Sequence, residues 1–192
     1  MRQSLRNVHF AILESDTNEG ASYKTGKPET LIGAISASVE PATESVTQFA
    51  DDGPHDVATN LGEIAVELAL AELSLKNQAT LLGHTYKNGV IIKNSADEAP
   101  FVALGFMSEV NAGVYELTWL YKGKFALVSS EYGTKTNTPA FREPSISAIF
   151  VRRVFDGNWQ AVANSGDDGF VPALATGWFA KVQEPIDLIP VP

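Results

Sequence analysis

The chain has 192 residues, enough for one well-packed domain, and only 19% of them are charged. The absence of Cys excludes a disulfide framework, a cysteine nucleophile and zinc–thiolate sites, and it is typical of a protein made in a reducing compartment. No apolar run is long enough to cross a bilayer, and the run at residues 10–13 is too short for the core of a signal peptide. We therefore expect a soluble protein made in the cytosol.

The net charge of −9 comes from one segment. Residues 28–75 contain nine acids and no Lys or Arg, whereas the rest of the chain has 14 acids and 14 bases. An acidic surface repels phosphate, so this segment is not expected to grip nucleic acid. A solvated acidic face is the alternative interpretation, although such faces usually include some Lys.

Two stretches of alternating polarity predict a β-hairpin within the acidic segment. In residues 31–40 one face is apolar and the other polar, with Leu31, Ile35 and Val39 against Ser36, Ser38 and Glu40. Residues 62–70 alternate in the same way, with Ile64, Val66, Leu68 and Leu70 against Glu63, Ala65, Glu67 and Ala69. Residues 41–62 are predicted to form a long inter-strand loop, which is far longer than usual connections.

One helix is predicted after this hairpin. Ser74 is a suitable N-cap, residues 75–82 have helical spacing, and Gly83 suits the C-terminal stop. The later sequence alternates again and predicts further strands at residues 100–109, 113–122, 123–132, 145–155 and 158–166.

The two ends of the chain are predicted to be extended arms, residues 1–25 and residues 170–192, because the C-terminal end is proline-rich and suits neither a helix nor a central strand. The predicted architecture is a single mostly β domain over residues 1–192. It is a β-sandwich with one flanking α-helix, a long β-hairpin loop and extended N- and C-terminal arms.

The run ADDGPHD at residues 50–56 admits three interpretations. A calcium loop needs acids at alternate positions and a late bidentate Glu, and this spacing fails. Paired catalytic carboxylates must face each other across a substrate, which adjacent Asp51 and Asp52 do not. A turn fits best, because Gly53 can take positive φ and Pro54 fixes its own φ.

No catalytic or metal motif is recognisable elsewhere. His55 could act as a base, but no Ser or Cys nucleophile is evidently placed for it, and His9 and His84 lie far away in sequence. The aromatic residues of the later strands could stack sugars, although such residues more often build a core or an interface. We therefore expect no catalysis, no metal and no cofactor.

Seven segments follow one another in a recognisable order: IGAISASVE, FADDG, GEIAVELALAELS, LLGH, APFVALGF, YELTWLYKGKF and SISAIFVRRVFDGNW. This order, over roughly residues 31–159, resembles the major tail protein (tail tube protein) family of long-tailed, siphovirus-type bacteriophages. The resemblance implies a β-sandwich subunit that forms hexameric rings, and rings that stack into a tail tube. It also implies that the protein is made in the bacterial host cytoplasm and resides in the virion.

The resemblance assigns partners and surfaces as well. The tube's inner β-barrel would hold the tape-measure protein and then conduct the DNA genome without binding it specifically, and tail terminator and distal tail proteins would cap its ends. The small, acidic hairpin face would line the lumen, through Ser36, Ser38, Glu40, Glu63 and Glu67. The long loop would bridge neighbouring subunits or rings, through Glu44, Asp51, Asp52, Gly53, Pro54 and Asp56.

Two other functions stay open from the sequence. One is a non-catalytic β-sandwich carbohydrate-binding or adhesion module, in which aromatic residues form the platform and acids hold calcium. The other is a hydrolase that uses scattered carboxylates.

Overall fold

The computed structural model describes residues 4–50, 53–126 and 144–185. Two helices lie within these residues, α1 (Leu75–Leu82) and α2 (Pro172–Gly177). The first seven strands are β1 (Ser4–Thr17), β2 (Gly20–Tyr23), β3 (Glu29–Thr30), β4 (Ala34–Ala50), β5 (Gly53–Leu70), β6 (Thr85–Lys87) and β7 (Val90–Ile92). The last four are β8 (Val102–Asn111), β9 (Val114–Phe125), β10 (Ser145–Phe150) and β11 (Gln160–Asn164).

The described strands form one large antiparallel sheet and one small ribbon. The main sheet runs β2-β1-β8-β9-β10-β5-β4, with β3 beside β1 and β11 beside β9, and β6 pairs with β7 alone. The sheet bends so that β4 comes close to β1. The predicted mostly β fold with a flanking helix is confirmed. Neither described helix is long and apolar enough to cross a membrane.

The first apolar core lies inside the bend of the sheet. The predicted inward face of β5 is confirmed, because Ile64, Val66, Leu68 and Leu70 are all buried there. Helix α1 covers part of this core with Leu81 and Leu82. Burying a side chain of this kind is worth about 1.5–3 kcal/mol, so this alternation fixes which face of β5 turns inward.

The predicted N-terminal arm is wrong, because residues 4–23 belong to the sheet. β1 lies between β2 and β8 in the strand order, and its Val8 and Phe10 are buried in the first core. Its Ala11 belongs to a second core on the opposite face, with Trp119 and Trp178 among its members. A strand covered on both faces shows no clean alternation, and the sequence therefore gave no strand signal here.

The predicted loop at residues 41–62 is also wrong. β4 and β5 continue past the body of the sheet as a paired ladder, with Thr43 opposite Leu61 and Ala50 opposite Gly53. The segment is polar because both of its faces are exposed, and a polar sequence of this kind predicts a loop as readily as a strand. We call residues 42–50 and 53–60 the ribbon. Asp51 and Asp52, and the turn predicted there, lie outside the described residues.

The predicted C-terminal arm is corrected in part. Residues 170–184 pack on the outer face of the sheet, where Trp178 is fully buried and Phe170 and Leu174 contact the second core. Helix α2 within this segment was not predicted, and Pro172 starts it. The apolar residues of the segment decide its position, since they cover the exposed side of β8 and β9. Residues 186–192 lie outside the described part of the chain.

The helix prediction is confirmed in detail. The Ser74 hydroxyl accepts a hydrogen bond from the Asn77 amide at 3.2 Å, and Gly83 takes the left-handed conformation at φ 73°. A Cβ on Gly83 would lie 2.1 Å from the Glu98 carbonyl oxygen, so the position requires glycine. Three strand predictions need smaller corrections. The two strands predicted at residues 113–122 and 123–132 are one strand as far as Phe125 (β9), and residues 127–132 lie outside the described part of the chain. β10 ends at Phe150, and a bulge between Ala34 and Ser36 leaves Ile35 45% exposed instead of in the core.

Candidate functional site: an acidic sheet face and a projecting ribbon

The structure places the five predicted lumen residues on one exposed face of the sheet. Ser38 lies directly opposite Glu67 in the β4–β5 ladder, and residues directly opposite one another point to the same side. Glu40 lies opposite Ala65, and the Ser38 hydroxyl donates a hydrogen bond to Glu40 Oε1 at 3.0 Å. We call this surface the acidic face, defined by Ser36, Ser38, Glu40, Glu63 and Glu67.

Strand β10 widens the acidic face, which sequence reasoning missed. Ser147 lies opposite Glu67 and Ile149 lies opposite Ala65, both with exposed side chains. Small side chains dominate this surface, while Ile149 is 50% exposed near its centre. The alternation in SISAIF was a usable signal, because a strand with buried Ile146, Ala148 and Phe150 must present its other residues outward.

A positive charge borders the face on the side of β9. Lys124 lies opposite Ile149 across the β9–β10 pair, and its Nζ sits 4.5 Å from the centroid of the Phe101 ring. The described parts of residues 28–75 contribute acids and no Lys or Arg. The face is thus acidic across β4 and β5 and becomes basic towards β9.

The residues predicted to bridge subunits lie on or beside the ribbon. Glu44 lies opposite Asn60, and Asp56 lies opposite Gln48, which places both acids on the same side of the ribbon. Asp56 Oδ1 accepts a hydrogen bond from the Val57 amide at 2.8 Å. Gly53 and Pro54 belong to β5 by their backbone, and Asp51 and Asp52 lie outside the described residues.

The ribbon also exposes apolar side chains. Val46 is 71% exposed and Val57 is 56% exposed, and they lie on opposite sides of the ribbon because Val46 pairs with Ala58 while Val57 pairs with Thr47. Every described side chain of residues 42–48 and 56–60 is exposed. An isolated two-stranded ribbon is marginally stable in water, so a packing partner would stabilise it substantially.

Within the described residues, the His, Asp and Glu side chains do not assemble into a metal centre. No group of three or more His, Asp or Glu side chains there could hold a metal ion. His9 stacks on Phe179 with ring centroids 4.8 Å apart, and burial lowers its pKa. His84 Nδ1 lies 2.6 Å from Asp97 Oδ2, and the side chain of His55 is not described.

The strongest polar cluster is buried and was not predicted. The Arg153 guanidinium donates to Asp156 and to both oxygens of Glu184, at 3.0 and 2.8 Å for the latter pair, and it lies 4.1 Å from the centroid of the Tyr121 ring. The Tyr23 hydroxyl donates to the Tyr121 carbonyl at 3.0 Å. The cluster therefore joins β2, β9, the turn after β10 and the C-terminal segment.

A second ion pair supports the same turn. Asp16 accepts hydrogen bonds from Lys122 Nζ at 2.6 Å and from the amides of Val154 and Phe155 at 2.8 and 3.0 Å. Burial acts to raise the pKa of Asp16, but these hydrogen bonds outweigh it and hold the pKa below the usual value. The pKa of Asp156 is lowered in the same way, because hydrogen bonds from Arg153 and Asn158 outweigh burial. The hydrogen bonds of Asp16 tie separate segments of the chain together, and those of Asp156 lie within the turn after β10.

Comparison with models of protein families gives no match to this chain. No curated protein matches its sequence either. The function is therefore inferred from the geometry of the acidic face and of the ribbon.

Proposed function

We propose that this protein is a structural virion subunit that polymerises as stacked hexameric rings to form a phage tail tube. The acidic face lines the lumen and lets the DNA genome pass without binding it. The ring number and the virion location come from the resemblance of the sequence to tail tube proteins. The physical case rests on the ribbon and on the acidic face.

The ribbon is the observation that carries the proposal. Its strands bury no described side chain, and β4 pairs only with β5 among the described residues. An exposed strand edge of this length is a template for pairing with another chain, and monomeric proteins usually protect such edges. Association with further copies would cover the ribbon, and a rotation that closes would give rings.

The acidic face supports the lumen role by its chemistry. DNA carries one negative charge per about 1.7 Å of helix axis, so a lining that offers Lys or Arg would hold it. Glu40, Glu63 and Glu67 repel phosphate, and the small serine and alanine side chains between them leave a smooth surface. Such a surface suits passage of DNA better than recognition of it.

The alternative carbohydrate-binding or adhesion module receives less support. The aromatic residues that would form a binding platform are needed inside the molecule, since Trp119, Tyr121 and Trp178 are buried. A sugar platform requires exposed rings. The described acids also lack the clustering that a calcium site needs.

Negative-stain electron microscopy of the purified full-length protein over a range of concentrations tests the proposal. Rings or tubes are expected. Particles that stay monomeric at every concentration, together with a melting temperature that rises on addition of calcium, would count against it and favour the alternative module.

A further inference from the structure

A cleft opens where β4 crosses the face of β1, β8 and β9. Its volume is about 270 Å³, which is large enough to accept aliphatic side chains from another segment. Its lining is mixed: Leu5, Ile35, Val39 and Phe106 give it an apolar part, and the polar part consists of Ser4, Ser36, Ser108, Glu116, Thr118 and Gln160. The bulge in β4 between Ala34 and Ser36 lies at the edge of this cleft, beside Ile35.

Two hydroxyl groups at the cleft have no hydrogen-bond partner among the described residues. They are the Oγ atoms of Ser4 and Ser108, and both atoms are buried. Ser108 as a whole is only 7% exposed. A buried polar group without a partner costs about 1–3 kcal/mol, so a protein usually provides it with one. The missing hydrogen-bonding groups would come from the segment that fills the cleft.

The ribbon has the complementary composition. Its two exposed valines could pack against the apolar residues of the cleft. Its Thr, Ser, Asn and Gln side chains could form hydrogen bonds with the Ser4 and Ser108 hydroxyls. Within the described part of the chain, the ribbon valines therefore lack an apolar contact that the cleft could provide, and the two cleft hydroxyls lack hydrogen-bond partners that the ribbon could provide.

The ribbon cannot reach the cleft of its own chain. Ile35 lies in the bulge next to the Ser36–Ala69 pair, and Val57 precedes Ala69 by twelve residues in β5. At about 3.3 Å per residue, the paired ladder keeps Ile35 and Val57 roughly 40 Å apart. The ribbon that fills the cleft must therefore belong to another molecule.

We propose that the cleft between β4 and the β1–β8–β9 face is the receptor for the ribbon of a second copy of this chain. A ribbon valine enters the apolar part of the cleft, and ribbon polar side chains supply the hydrogen bonds that Ser4 and Ser108 lack. The proposal rests on the proposed function in one respect, namely that copies of the chain associate head to tail. It adds which two surfaces meet.

Engineered cysteines test this contact cleanly, because the natural chain contains no Cys. Chains carrying Ile35→Cys are mixed under reducing conditions with chains carrying Val46→Cys or Val57→Cys and are then oxidised mildly. A disulfide needs Cβ atoms about 3.5–4.5 Å apart, which these positions reach only between two molecules. Val90→Cys is the matched control, since Val90 is 57% exposed and Val57 is 56% exposed.

The expected result is a cross-linked heterodimer with at least one ribbon position and none with Val90→Cys. Polymers that form normally without a cross-link to either ribbon position would overturn the cleft assignment and leave the tube proposal standing. Cross-linked dimers from a protein that never forms rings or tubes would support the cleft assignment and sink the tube proposal.

A second variant gives an independent readout. Ser108→Ala removes a hydroxyl that has no described partner in the monomer, so the monomer should melt at the same temperature or higher. The lowest concentration at which polymers form should rise roughly two- to tenfold, as expected for one lost hydrogen bond. An unchanged polymerisation threshold would contradict a role for Ser108 in the contact.

Discussion

Arg153 Nη1 donates to Glu184 Oε2 at 2.8 Å and thereby ties the turn after β10 to the C-terminal segment. The guanidinium is fully buried, and Asp156 and the Tyr121 ring occupy its other sides. Burial by itself acts to lower the pKa of Arg153, but the hydrogen bonds from its guanidinium to the Asp156 and Glu184 carboxylates outweigh burial and raise the pKa above its ordinary value, so the group stays charged. This pairing holds the outer layer of the molecule against the sheet.

Replacement of Arg153 by Met should therefore destabilise the protein strongly. Removing one partner of a buried ion pair leaves the other charges uncompensated and typically costs about 3–5 kcal/mol. Urea denaturation followed by tryptophan fluorescence measures the loss, because Trp178 lies in the same layer. The exposed neighbour Arg152→Met serves as the control and should stay within about 0.5 kcal/mol of the wild type. Equal stability of the two variants would contradict the role of the cluster.

Acid should weaken the fold through Asp16. Its folded pKa lies below 3.8, the value of the free group, so the unfolded chain takes up its proton first as the pH falls. The stabilising contribution is complete well above pH 3.8 and is lost as the pH falls below that value towards the folded pKa. The difference in unfolding free energy between wild type and Asp16→Asn should be largest near neutral pH and should shrink on acidification. A difference that is constant from pH 6 to pH 2 would disprove the linkage.

Gly105 should not tolerate a methyl group. It lies directly opposite Trp119 in the β8–β9 ladder, and a Cβ there would come within 2.7 Å of the indole ring. Gly105→Ala forces the ring or the strands apart and should cost about 1–3 kcal/mol. Gly20→Ala is the control, because a Cβ at Gly20 meets nothing within 4 Å. Thermal unfolding of the two variants makes the comparison, and a stable Gly105→Ala protein would show that the indole can move aside.

Removal of the ribbon should separate folding from assembly. Replacing residues 46–58 by Asn-Gly keeps the Ser45–Thr59 pair and closes it with a two-residue turn. The described side chains removed are exposed, so the monomer should lose no more than about 1 kcal/mol. Size-exclusion chromatography and electron microscopy should find folded monomers without polymers. Tubes of ordinary length from this variant would show that the ribbon is dispensable.

Charge reversal on the acidic face should affect passage of DNA and not assembly. Glu63→Lys with Glu67→Lys places cations on a surface that is proposed to face the genome, and such cations would bind phosphate. Tubes should still form, while virions should release DNA more slowly, with the greatest delay at low salt. Glu14→Lys with Glu19→Lys makes the same change in net charge at exposed positions outside this face. Equal release rates for both double mutants would remove the lumen assignment.

Local signals in the sequence were sufficient for some elements. Helix α1 was predicted from Ser74 to Gly83 because capping depends on residues within one turn of each end. The inward face of β5 was predicted because four apolar residues alternate without interruption. The same kind of alternation in the two strands predicts that all five residues of the acidic face point to the polar side, without any knowledge of their cross-strand partners.

Only the tertiary structure decided where the remaining segments lie. The central part of β1, residues 8–11, is buried on both faces, whereas the described side chains of the ribbon are exposed on both faces. In both cases the alternation that identifies a strand is weak or absent. The buried cluster joins Tyr23, Arg153 and Glu184 across distant parts of the chain, and no spacing in the sequence indicates such contacts. Periodicity and capping depend on residues that are close in sequence, and they predict secondary structure. Which surfaces of a strand are covered depends on contacts between residues that are distant in sequence. The sequence by itself therefore determined a mostly β, acidic protein, and the three-dimensional arrangement determined its cleft and its exposed ribbon.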